Sequence, residues 1–135
     1  MNLEEFKALR NEVVNSVKID EDKIDHIITK IPLLHSKYLR LYSTEFHKLK
    51  LLQIKIDKLY GDLYHYYRYE YDYSMDKKYE IETYINKDER YIKLRKGFAF
   101  QDTVVKFLEN TIKTIKELNY TIKNYIDWKK LLAGE

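Results

Sequence analysis

Apolar residues recur at helical spacing through most of this chain, and the breaks in that pattern carry the more specific information. Near the start, Leu3, Phe6, Val13, Val14 and Val17 fall on one side of a helix of about four turns. The polar run "KIDEDK" interrupts it and offers Asp20 or Asp22 as the cap of a second helix through Ile24, Ile27, Ile28 and Ile31. Pro32 then ends that helix or opens the next, because proline suits a first turn and disrupts later ones. From Ser36 to about Tyr67 the spacing is seven: Tyr42, Leu49, Ile56 and Leu63 form one seam, and Tyr38, Leu52, Leu59 and Tyr66 form the other. Glu45 interrupts the second seam, and Gly61 weakens the helix by about 1 kcal/mol relative to alanine.

Beyond Tyr67 the period changes to two. In "YRYEYDY" the rings of Tyr67, Tyr69, Tyr71 and Tyr73 alternate with Arg68, Glu70 and Asp72, which predicts an extended segment or short strand over residues 67–73. A single strand is unstable alone, so this one has to pair within the chain or across a subunit boundary. Helix resumes at "SMDKKYEIETYI", and "NKDE" offers Asn86 as a cap with Glu89 three residues on. A second heptad run follows: Tyr91, Phe98, Val105 and Ile112 on one seam, Leu94, Leu108 and Ile115 on the other, with Ile122 and Ile126 continuing toward Trp128. Gln101 and Asn119 are its polar positions, and such residues set register or oligomer order when buried, whereas Asn119 has the equal alternative of marking a helix end.

These elements describe a mainly α protein with long amphipathic helices. They divide one domain of residues 1–135 into N-terminal helices with a basic stretch (1–67), an extended arm with a short helix (68–88) and C-terminal oligomerisation helices (89–135). Three glycines and one proline in 135 residues leave little turn material for a sandwich or barrel. Charged residues at 35% and hydrophobic ones at 44% mark a folded chain. The second heptad run pairs either within the chain or between subunits. In the latter case Leu108, Ile112, Ile115, Ile122, Ile126 and Trp128 supply the contact.

The net charge of +3 says little, but its distribution is blocked. Residues 26–60 carry seven Lys/Arg against two Asp/Glu and residues 90–135 ten against five, while 1–25 and 61–89 are acidic. Two faces therefore favour a polyanion, unless they are merely solvated helix surfaces. Absence of cysteine removes disulfides, thiol nucleophiles and Cys-based metal sites. The opening "MNLEEFKALR" is unlike a signal peptide, and no run approaches the roughly 18 apolar residues of a membrane span, so an intracellular, water-soluble protein is expected.

No glycine-rich phosphate loop, HExxH or nucleophile elbow is present. Asp22 and His26, at i, i+4, are more simply solvated than metal-binding, and Glu80 and Glu82 point apart on a helix. Neither catalysis nor a cofactor or metal is expected. Binding chemistry fares better. Seven of the 14 tyrosines lie between Leu59 and Asp76, beside Lys37, Arg40, Lys48, Lys50, Lys55, Lys58 and Arg68. Cations that track phosphates and rings that stack on bases are what single-stranded nucleic acid requires. Tyrosine also favours subunit interfaces, where one end of the ring is dry and the other wet. Composition does not separate the two.

"LYGDLYHYYRYEYDYSMDKKYEIETYI", "DERYIKLRK" and the terminal "IKNYIDWKKLLAG" resemble the UvsY-type recombination mediators of T4-like bacteriophages, well over residues 59–134 and more weakly through "LLHSKYLRLY". The resemblance implies a non-enzymatic protein in the cytoplasm of an infected bacterial host, assembled as a homo-oligomeric ring of six or seven subunits. It implies binding to single-stranded DNA and help to a RecA-like phage recombinase in displacing a single-strand-binding protein. Members of the family place Lys or Arg shortly before the double tyrosine. Here Gly61 and Leu63 stand in that neighbourhood, so the expected DNA contacts shift to the nearest cations, Lys55, Lys58 and Arg68, with Tyr66 and Tyr67 as stacking partners. The alternative is a helical oligomerisation or adaptor protein with no nucleic-acid role.

Overall fold

The structure, a computed structural model, describes residues 1–73 and 75–135. Its elements are α1 (Leu3–Ser16), a 3-10 turn (Glu21–Lys23), α2 (Ile24–His65), a π-turn (Tyr66–Glu70), α3 (Lys78–Lys87) and α4 (Glu89–Leu132). The mainly α reading holds, and no strand occurs among the described residues. The chain forms two compact units, one of Met1–Thr44 with Val104–Glu135 and one of Glu45–Thr103. Each joins segments distant in sequence, because α2 and α4 each contribute part of their length to both units.

The first unit has an aliphatic core. Asn2 opens α1 by accepting the Glu5 N–H at 2.8 Å, and Asp20 opens the 3-10 turn before α2 by accepting the Asp22 N–H at 3.0 Å. Phe6, Leu9 and Val13 bury one stripe of α1, with Val14 left outside, and Phe6 meets Phe107 edge-on at 5.5 Å. Ile31 and Tyr38 of α2 are buried in the same unit, as are Val104, Val105, Leu108, Ile112, Ile115, Leu118 and Ile122 of α4. Burying each such side chain contributes about 1.5–3 kcal/mol. Tyr38 is wholly inaccessible and its hydroxyl donates to Glu12 Oε1 at 3.0 Å. Lys37 donates to the same oxygen and holds the Glu12 carboxyl below its ordinary pKa.

The readings at two helix positions are corrected. Pro32 neither ends nor starts a helix but lies inside α2. Proline in a helix interior costs about 3 kcal/mol, and the buried Ile31 and Tyr38 on either side keep the helix running. Asn119 is exposed and lies 13 residues before the end of α4, so it neither sits in the seam nor marks a terminus; Leu118 takes the buried position. The end comes at Gly134, whose φ of 78° admits the Glu135 N–H to the Lys130 carbonyl at 3.0 Å.

The expected strand over 67–73 is absent. Helix continues past His65 as one wide turn, closed by the Tyr71 N–H donating to the Tyr66 carbonyl at 2.8 Å, five residues back. Packing overrides the period-two alternation. Tyr67 is buried and Tyr71 half-buried, their rings 5.2 Å apart, whereas Tyr69 and Tyr73 point outward. The tyrosines thus divide at period four. Ser74, where the sequence pattern restarts the helix, lies outside the described residues; α3 begins at Lys78.

Candidate nucleic-acid interface

The second unit places the tyrosine-rich segment. Its core is Leu63, Tyr67, Met75, Ile81 and Ile85, with Leu59, Tyr60, Tyr64, Tyr71 and Tyr91 packed around it. The rings form a chain of contacts: Tyr60 lies 6.3 Å from Tyr64 and 6.2 Å from Tyr91, and Tyr84 lies 5.6 Å from both Tyr67 and Tyr71. Their hydroxyls are answered by carboxylates. Tyr60 donates to Glu82 at 3.1 Å and Tyr67 to Asp88 Oδ2 at 2.8 Å.

Asp88 organises this unit, and the expected cap, Asn86, does not. Asn86 falls within α3, while Asp88 separates α3 from α4 and accepts the Arg90 N–H at 2.9 Å, as an N-capping carboxylate does. The Arg90 guanidinium adds bonds of 3.1 and 2.9 Å to its two oxygens and holds the Asp88 carboxyl well below the usual carboxylate range. Burial, together with the bond to Asp88, pushes the Tyr67 hydroxyl up to about 12.

The polar exceptions of the two heptad seams meet each other. Gln101 is buried on α4 and donates to both the Glu45 carbonyl at 2.8 Å and the Glu45 Oε2 at 2.7 Å. Lys48 donates to the other carboxylate oxygen at 3.2 Å. Burial pushes the Glu45 pKa up, but the bonds from Gln101 and Lys48 outweigh it and the carboxyl ends below its ordinary value. This pair fixes the register of α2 against α4 in this unit, since a slip of either helix would strand a buried carboxylate.

The residues expected to contact DNA do not behave alike. Lys55 and Lys58 are exposed neighbours on α2 at i, i+3, and Arg68 is exposed on the π-turn with its guanidinium 5.3 Å from the Tyr69 ring centroid. None of the three makes an ion pair among the described residues. Tyr66 lies at the surface, its ring 5.9 Å from the Arg90 guanidinium. Tyr67, its neighbour, is buried with its hydroxyl engaged. Tyr69, Lys93, Arg95 and Lys96 are also exposed. In "YRYEYDY" a four-residue inside–outside division of the tyrosines, and not the period-two alternation, is the signal that points to Tyr69.

Of the six residues expected at a subunit contact, Leu108, Ile112, Ile115 and Ile122 are covered within the chain. Ile126 is half-buried, and Trp128 is exposed together with Leu131 and Leu132. No group of three or more His, Cys, Asp or Glu suited to a metal ion occurs among the described residues, and no helix of the structure is long and apolar enough to cross a membrane.

A family model described as "Recombination, repair and ssDNA binding protein UvsY" matches residues 12–135. The chain belongs to the UvsY family. No curated protein matches it. Among solved structures, two crystal forms of the bacteriophage T4 recombination mediator protein UvsY are similar to it. One is 22% identical with a TM-score of 0.85, covering 98% of each chain. The other is 19% identical with a TM-score of 0.82, covering 93% of this chain and 97% of that one. At these identities the likeness establishes a shared fold over nearly the whole length.

Proposed function

We propose that the protein is a recombination mediator that binds single-stranded DNA and helps load a RecA-like phage recombinase onto strands coated by single-strand-binding protein. It acts in the cytoplasm of the infected host, as a homo-oligomeric ring of six or seven subunits, and by binding alone. The observation that carries this reading is the joining, in one compact unit, of exposed cations without ion-pair partners among the described residues (Lys55, Lys58 and Arg68) with an exposed ring, Tyr66. Family membership agrees with it. Cations displace counterions from phosphates, which makes affinity fall steeply with salt. A surface ring adds about 1–3 kcal/mol for each base stacked on it. Tyr67 supports the site from beneath by anchoring the π-turn to Asp88.

Each subunit offers few contacts, so useful affinity comes from several subunits on one strand. The open apolar end of α4, Trp128 with Leu131 and Leu132, is the surface through which copies associate in this reading. A mediator shifts an equilibrium only through different affinities for the competing states. Holding one strand at several points bends or compacts it, which weakens a bound protein coat. The test follows ATP hydrolysis by the phage recombinase on coated strands. The protein should shorten the lag there and change little on naked DNA. An unchanged lag over a wide concentration range, together with no salt-dependent binding to single strands, leaves the adaptor reading standing.

A further inference from the structure

We propose that the outward face of the first turns of α4 is a second track for the phosphate backbone of single-stranded DNA; this rests on the single-strand reading above and adds a site to it. Two open concavities of about 330 and 350 Å³ lie on this face and share Ile92 and Lys96. Arg95 and Ala99 complete one, and Glu89 and Lys93 complete the other. Three cations therefore border a groove whose floor is a half-buried isoleucine and a methyl group. Lys93 and Lys96 stand at i, i+3, about 5–6 Å apart at Cβ, so both ammonium groups reach one stretch of backbone.

Ion pairing separates these cations from their neighbours. Arg90 is held by Asp88, Lys48 by Glu45 and Lys78 by Glu82. Lys93, Arg95 and Lys96 make no ion pair among the described residues, and Glu89 is the one acidic side chain lining the groove. Packing this face against an apolar surface of a second copy would take three charges out of water with only Glu89 to answer them, which is costly. A polyanion answers all three by counterion release. Among the described residues no aromatic side chain lines the groove; Tyr91 is half-buried, its ring 5.8 Å from the Arg95 guanidinium. The face therefore holds backbone and stacks no base, in contrast to the surface around Tyr66.

The experiment titrates the full chain against a long labelled oligothymidylate by fluorescence anisotropy at several salt concentrations, beside the variants Lys93→Ala/Arg95→Ala/Lys96→Ala and Ala99→Glu. The triple variant should bind at least tenfold more weakly at low salt, and its log–log salt slope should fall by about 2 for each subunit engaged, from roughly 0.7 per lost phosphate contact. Ala99→Glu should bind several-fold more weakly, with the helical content and sedimentation of the parent. Wild-type protein that binds no single strand overturns the functional reading and this site with it. Wild-type binding with unchanged slope and affinity in both variants overturns the α4 track alone. Loss of assembly in either variant makes the face an interface between copies and also overturns it.

Discussion

The two compact units solve the same problem, burying the inner faces of α2 and α4, with different chemistry. The unit of Met1–Thr44 and Val104–Glu135 uses side chains such as Leu108, Ile115 and Val104, which ask for nothing beyond exclusion from water. The unit of Glu45–Thr103 uses tyrosines, and a buried tyrosine asks for a hydrogen-bond partner. Asp88 and Glu82 meet that demand, and Arg90 keeps Asp88 ionised while doing so. Apart from Tyr38, whose hydroxyl is bonded to Glu12, one unit therefore depends on volume, while the other relies on a wider network of charges and hydroxyls. The second is also the one that carries the proposed DNA surface, where amphipathic rings serve the core and the exterior at once.

The largest expected effect tests the aliphatic side of this contrast. Leu108→Ala removes a fully buried side chain and should cost about 3 kcal/mol by urea unfolding, through lost transfer energy and the cavity left behind. A cost below about 1 kcal/mol would mean that this unit collapses around the hole and is not volume-limited. Next comes the buried polar pair of the other unit. Gln101→Leu should cost about 2–3 kcal/mol, because Glu45 keeps its burial and loses one of its two donors, with Lys48 alone remaining. Adding Glu45→Leu should recover most of that loss. A double variant no more stable than the single one would deny that the two residues act as a pair.

Much of the first unit was legible because its signal is periodic. Phe6, Val13, Leu108, Ile112 and Ile115 repeat at helical spacing and are buried as that spacing requires. In the second unit Glu45 and Gln101 stand out as exceptions in their own seams, yet their meeting depends on register across 56 residues, which no local pattern encodes. The tyrosines misled for a related reason. Alternation of rings and charges in "YRYEYDY" is the local signature of a strand, but the π-turn is set by what Tyr67 and Tyr71 touch: Asp88 and Tyr84, distant in the chain. Asp88 was visible as a feature of the sequence and not as a cap, since Asn86 matched the usual capping pattern better. Lys55, Lys58 and Arg68 were found on the surface, as charge alone predicts, whereas the division of Tyr66 from Tyr67 required the fold.

A smaller effect comes from the hydroxyl network, and its pH dependence is specific. Tyr67→Phe should cost about 1–2 kcal/mol at neutral pH by loss of one bond to a charged acceptor. In the folded protein the Tyr67 hydroxyl is pushed up to about 12, against roughly 10 in an unfolded chain. The folded state therefore keeps a proton that the unfolded state releases. The resulting stability is fully present below about pH 10 and is lost as pH rises toward the folded value. Asp88 works in the opposite sense. Its folded pKa is depressed, so its contribution is present above the ordinary carboxylate value near 4 and is lost as pH falls below it. Urea unfolding across pH should show both limbs in the parent, and Tyr67→Phe should remove this alkaline contribution while leaving a smaller acid limb, since Arg90 still holds Asp88. An unchanged alkaline limb would place that titration elsewhere among the tyrosines.

The smallest expected change in stability belongs to Tyr66, and that smallness is what makes it informative. Its ring lies at the surface, and its hydroxyl makes none of the carboxylate bonds that tie Tyr60 and Tyr67 into the unit. Tyr66→Leu should alter unfolding by about 0.5–1 kcal/mol, chiefly through its edge-on contact with the Tyr67 ring at 5.0 Å. Binding should respond more. A stacked base is worth about 1 kcal/mol or more, so affinity for a single strand should fall roughly fivefold or further, with the salt slope unchanged because no phosphate contact is removed. Tyr69→Leu, on the outward side of the same turn, is the matched comparison. Loss of affinity with Tyr69→Leu alone would move the stacking platform to that ring. If both variants bind as the parent does, the tyrosines of this unit serve its folding only, and the single strand is held by cations without an aromatic surface.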